Sequence, residues 1–116
     1  MAKYTCDMGD PLDMLGEEAT EIAQAIFKLR RFGPDGARAH GYNGPTPLHK
    51  LHQEIGDFLA ILDYLARNNV LSSSQLVFAQ ARKFERVREL FGVDLRTHVL
   101  RAEKRPCRKT SRKKKS

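Results

Sequence analysis

An all-α fold is the prediction for this chain, and three observations carry it. Apolar residues recur at spacings of three and four along three segments. Residues that cap or break helices bound each segment. No run alternates apolar and polar residues as a half-buried strand does.

The first helix is expected from Pro11 or Leu12 to Arg31. Leu15, Ala19, Ile22, Ile26 and Leu29 form one stripe of an amphipathic helix. Gly33-Pro34 stops it. Residues 33–47 hold four glycines and three prolines, a composition that no regular element survives. That stretch is a loop, long for a small domain, and such loops often carry function.

Thr46 then reads as an N-cap, with Pro47 at the first helical position. Leu48, Leu51, Ile55, Phe58, Leu62 and Leu65 give the second helix its stripe, to about Arg67, and Asn68-Asn69 ends it. Ser72 with Gln75 fits a capping box for the third helix. Val77, Ala81, Phe84, Val87 and Phe91 are its stripe, and Gly92 closes it. Asp94 is expected to cap a short fourth helix through about Glu103. The stripes lie near coiled-coil spacing, so the prediction is a bundle of three long helices plus a short C-terminal one, packed near-antiparallel.

The chain has 116 residues, enough for one small domain with a modest core. Its net charge of +7 is unevenly placed. Residues 101–116 hold nine Lys or Arg and one Glu, a net of +8; the other hundred hold twelve and thirteen, a net of −1. The reading is therefore a near-neutral domain, residues 1–103, followed by a polybasic tail, residues 104–116, expected to be disordered. Cys6 and Cys107 lie near opposite ends, which suits a reducing, cytoplasmic setting better than a disulfide scaffold. No membrane span and no secretory signal are visible.

Two acidic pairs stand out. Glu18 and Glu21 lie on the first helix, Glu54 and Asp57 on the second. Residues three apart project from one helix face, about one turn apart. Each pair borders an apolar stripe, so each faces the seam between helices. Four carboxylates do not gather at neutral pH without a cation among them. Mg²⁺, or Mn²⁺, is the natural partner for such oxygen ligands. Taken singly, an acidic pair is more often a solvated face. Gly56, inside the second helix, costs about 1 kcal/mol relative to alanine, which suggests close approach by a backbone or a ligand.

The motifs E-E-A-T-E (Glu17 to Glu21) and E-I-G-D (Glu54 to Asp57) resemble the E-E-x-x-E … E-x-x-D signature of the MazG-like, all-α nucleoside triphosphate pyrophosphohydrolases. K-F-E-R, from Lys83 to Arg86, is similar to a basic segment that follows the acidic motifs in many members. The resemblance spans about residues 11–91. It implies hydrolysis of a nucleoside triphosphate to the monophosphate and pyrophosphate. It also implies that Glu18, Glu21, Glu54 and Asp57 are Mg²⁺ ligands. Glu17, beside a ligand position, becomes a catalytic candidate that orients water; a plain exposed helix residue is the competing reading. The bound cation would offset polyphosphate charge and activate water. Two features depart from the family pattern: the Gly/Pro-rich spacer and the basic tail.

Lys83 and Arg86 share one face of the third helix and are candidates for phosphate contacts. Lys28 and Arg31 end the first helix, where they complement its dipole and can also reach a phosphate. Tyr42 and Asn43, in the loop, can stack and read a base, though ordinary loop residues are the commoner case. His40, His49 and His52 lack zinc spacing. Exposed apolar flanks, and the resemblance, predict a homodimer or homotetramer. The rival reading is a nucleic-acid-binding or nucleotide-sensing protein without hydrolysis. Its tail would make weak, salt-dependent contacts to DNA or RNA, without base stacking, for want of aromatics.

Overall fold

The computed structural model describes residues 4–36 and 43–102. His40, Tyr42, Cys107 and the basic tail lie outside the described residues, and with them the expected disorder. The described residues form three helices and no strand: α1 (Pro11–Phe32), α2 (Pro47–Arg67) and α3 (Ser73–Phe91). The chain divides into two compact units, Met1–Leu76 and Val77–Ser116. No described helix is long and apolar enough to cross a membrane.

The helix ends lie where local chemistry puts them. Asp10 Oδ1 accepts from Leu12 N at 2.9 Å, with Pro11 at the first helical position. Thr46 Oγ1 accepts from His49 N at 3.1 Å, and Ser72 Oγ from Gln75 N at 3.2 Å. Gly33 ends α1, its N–H donating to Leu29 O at 2.8 Å. At the end of α2, Asn69 adopts φ 60°. Asn69 N donates to Ala66 O at 3.1 Å and Val70 N to Leu65 O at 3.0 Å, the paired bonds of a Schellman motif.

The first unit is built on α1 packed against α2. Leu48 N donates to Pro34 O at 3.4 Å, so the end of α1 lies beside the start of α2 and the pair runs antiparallel. Gly36 makes this return possible. Its φ is 62°, and a Cβ there would meet Pro47 Cδ at 2.5 Å. Only glycine tolerates both conditions cheaply.

The stripes read in the sequence supply much of the buried face: Leu65 is fully buried, and Leu15, Ile22, Leu29, Leu51, Phe58 and Leu62 are half-buried. Pro11, Ala25, Glu54 and Leu65 take the buried positions. Ile26 and Ile55, the apolar neighbours of Ala25 and Glu54, are 41% and 38% exposed. The buried face also takes in Glu54, on the carboxylate-bearing edge of the α2 stripe.

Among the described residues the fourth helix is not formed. Residues 95–97 make a single turn in which Thr97 N and His98 N both donate to Asp94 O, at 3.1 and 2.8 Å. Asp94 does cap, accepting from Arg96 N at 3.0 Å. The turn buries no apolar residue to propagate it: Leu95 is 46% exposed, and Val99 and Leu100 beyond it are 79% and 89% exposed. Short helices need such packing. Among the described residues Gly56 has no close approach, since a Cβ there would find no atom of another segment within 4 Å.

Candidate metal centre

Glu18 and Glu21 lie one turn apart on α1, and Glu54 faces them from α2. One carboxylate oxygen from each of the three lies within 4.8 Å of the others. Their surroundings differ sharply. Glu54 is 4% exposed, Glu18 is half-buried, and Glu21 is exposed. Asp57, one turn beyond Glu54, is exposed and stands outside this group of three. Its charge is nevertheless felt at Glu18. Glu17 is exposed beside Glu18 and acts on it the same way.

Lys50 completes the cluster. Its Nζ stands 3.0 Å from Glu54 Oε1. This contact holds the Glu54 carboxyl below the usual range, with hydrogen bonding from Glu21 adding to it. Glu21 moves the opposite way, raised first by hydrogen bonding to Glu54 and then by the Glu54 charge. Glu18 is raised mainly by desolvation, then by the charges of Asp57, Glu54 and Glu17. The Lys50 ammonium relieves part of the repulsion within the cluster.

That relief is incomplete. Oε2 of Glu54 and Oε2 of Glu18 are both buried without a hydrogen-bond partner. Buried polar atoms are almost always satisfied, and an orphaned carboxylate oxygen is costly. A divalent cation satisfies such atoms directly. The donors are all hard carboxylate oxygens, which suits Mg²⁺ or Mn²⁺ and not a thiolate-seeking metal. The residues present therefore fit the cation that the motif spacing predicts.

A pocket of about 430 Å³ opens beside the cluster, between the end of α1 and the start of α2. Ala25, Phe32 and Pro47 supply apolar wall, and Lys28 and Lys50 supply two ammonium groups. Arg31 is exposed, its guanidinium 5.8 Å from the centre of the Phe32 ring. Asn43 is exposed. Lys83 and Arg86 are exposed on α3, in the second unit.

No protein-family model, curated protein or solved structure matches the chain.

Lys50 is the functional candidate that sequence reading missed. Its signal was present, since Lys50 and Glu54 are four apart on one helix. The order hid it, because a lysine N-terminal to its glutamate is the weaker arrangement for a helix pair.

Proposed function

We propose that this chain is a MazG-like, Mg²⁺-dependent nucleoside triphosphate pyrophosphohydrolase. The observation that carries the reading is the orphaned, buried Oε2 of Glu54, facing Glu18 and Glu21 across the α1–α2 seam. Glu18, Glu21 and Glu54 would hold the cation, and Asp57 would add negative charge from the next turn. When bound, Mg²⁺ supplies charge neutralisation for the polyphosphate and activation of water. The rest is positioning by the chain's own residues. Lys28 and Lys50 place positive charge on the pocket wall, where phosphates need it. The apolar wall suits the nucleoside. Glu17 orients the attacking water. The resemblance assigns Lys83 and Arg86 to the phosphates; that assignment rests on the K-F-E-R motif alone. The reaction consumes water, cleaves the α–β anhydride, and yields nucleoside monophosphate and pyrophosphate.

Self-association belongs to the same reading. Phe27 and Leu59, on α1 and α2, are 67% and 55% exposed, and a second copy would bury such side chains. Light scattering on the purified chain tests for a dimer or tetramer.

The deciding experiment is incubation with Mg²⁺ and a nucleotide panel, followed by product analysis. Monophosphate plus pyrophosphate is the expected result. Orthophosphate with a diphosphate would overturn the assignment. The nine basic residues in 101–116 favour one alternative, nucleic-acid binding through the tail. Salt-dependent affinity for DNA or RNA, without turnover of any nucleotide, would support it instead.

A further inference from the structure

Lys50 is the basic side chain that pairs with the carboxylate cluster among the described residues. Its side chain is 55% exposed while that of Glu54 is 5% exposed, so the contact reaches from solvent into the seam. Helix stability is a weak reason for this pair, given the unfavourable order of the two residues. Charge is a stronger one. Three carboxylates meet there, and one ammonium answers them. It satisfies Oε1 of Glu54 and leaves Oε2 orphaned. A divalent cation seated on the same carboxylate brings two positive charges close to that ammonium, and like charges at short range repel.

We propose that Lys50 is an internal counter-ion that a divalent cation displaces from Glu54. The lysine holds the metal-free cluster together and, by competing for Glu54, weakens the site's affinity for metal. This rests on the reading of the cluster as a cation site. The displacement also links the two halves of the site. Lys50 lines the pocket together with Lys28, so an ammonium released from Glu54 stays where an anionic ligand would meet it. Metal binding thereby prepares the pocket for a phosphate-bearing molecule.

The test measures Mn²⁺ binding calorimetrically on the full chain, as wild type, Lys50→Met and Lys50→Arg. Lys50→Met is expected to bind Mn²⁺ more tightly, by up to about fivefold, the upper end of the range spanned by typical exposed charge pairs. Lys50→Arg keeps the charge and is expected to match wild type. Without metal, Lys50→Met should melt below wild type and gain more from Mn²⁺. Circular dichroism checks its helix content; should it fail to fold, Lys50→Gln, which keeps a hydrogen-bond donor, takes its place. Equal or weaker Mn²⁺ binding by the neutral variant would overturn the displacement. So would an equal tightening in Lys50→Arg. Absence of Mn²⁺ binding by wild type is a separate failure, which removes the cation site itself and this inference with it.

Discussion

In the second unit, Arg88 reaches Glu85 at 3.1 Å and Asp94 at 3.5 Å, and Arg96 adds a contact to Asp94 at 3.6 Å. The Arg96 guanidinium also lies 5.0 Å from the centre of the Phe84 ring. Along the α1–α2 seam, three carboxylates share one lysine, and two of their oxygens are buried without partners. Both regions are rich in charge. In the second unit opposite signs answer one another at the surface, where such pairs contribute little and call for no ligand. In the seam, like signs are gathered around one buried carboxylate, Glu54. A cluster that balances itself is a cap; a cluster left unbalanced under burial is a candidate site.

Breaking the seam should have the largest consequence. Glu54→Gln removes the buried carboxylate and is expected to lower nucleotide hydrolysis by about a hundredfold or more, since even residues behind metal ligands matter by 10–100-fold. Asp94→Asn, in the balanced cluster, should leave kcat/KM unchanged. Similar losses in both variants would erase the contrast.

Next in size is the response to metal. Saturating Mg²⁺ or Mn²⁺ should raise the melting temperature by on the order of 10 °C, through mass action on the folded state. Glu21→Gln should abolish most of that rise and stabilise the metal-free protein, because one repelling charge is gone. Scanning calorimetry with and without metal reads both. An undiminished metal response in Glu21→Gln would move the cation elsewhere.

A smaller effect sharpens the role of α3. Lys83→Ala and Arg86→Ala should each weaken hydrolysis roughly tenfold, the scale of one charge-assisted hydrogen bond, while Mn²⁺ affinity stays as in wild type. Loss of metal binding in these variants would contradict a phosphate role.

The smallest effect is in pH dependence, where the raised and the lowered carboxyls should show opposite slopes. Glu18 and Glu21 stand above their ordinary 4.5 in the folded protein. Their contribution to metal-free stability is fully present below 4.5 and is lost as pH rises through the raised values. Glu54, held down by Lys50, and Asp94, held below its ordinary 3.8 chiefly by the Arg96 backbone N–H, work the other way. Their contributions are present above 4.5 and 3.8 and are lost as pH falls through the lowered values. Metal-free melting temperatures should therefore decline from pH 4.5 upward in wild type and less so in Glu21→Gln. Asp94→Asn should flatten the acid limb alone. A wild-type profile that climbs from pH 4.5 toward neutrality would reverse the sign argued here.

Much of the local architecture was legible before any coordinates. Thr46-Pro47, Ser72 with Gln75, and Gly33 mark helix ends through short-range hydrogen bonds, and the structure places the ends there. The spacing of Glu18 with Glu21 was equally plain, because 3.6 residues per turn sets which side chains share a face. Less legible was Asp94. Its capping chemistry was visible, but a cap initiates a helix and does not sustain one, and the turn that follows buries no apolar residue.

The sequence by itself determined three helices, their limits, and a set of carboxylates confined to one edge of two of them. Those are consequences of dihedral preference and of bonds made within a few residues. Only the tertiary structure decided which carboxylates meet. Placing Glu54 at 4% exposure against Glu18 and Glu21, with Asp57 outside, depends on how far each helix is turned about its axis and slid along its neighbour. The apolar stripes allow more than one such setting. The choice is made by contacts between residues far apart in the chain, among them Gly36 against Pro47 and the buried Ala25 and Leu65, and helical periodicity alone does not encode it.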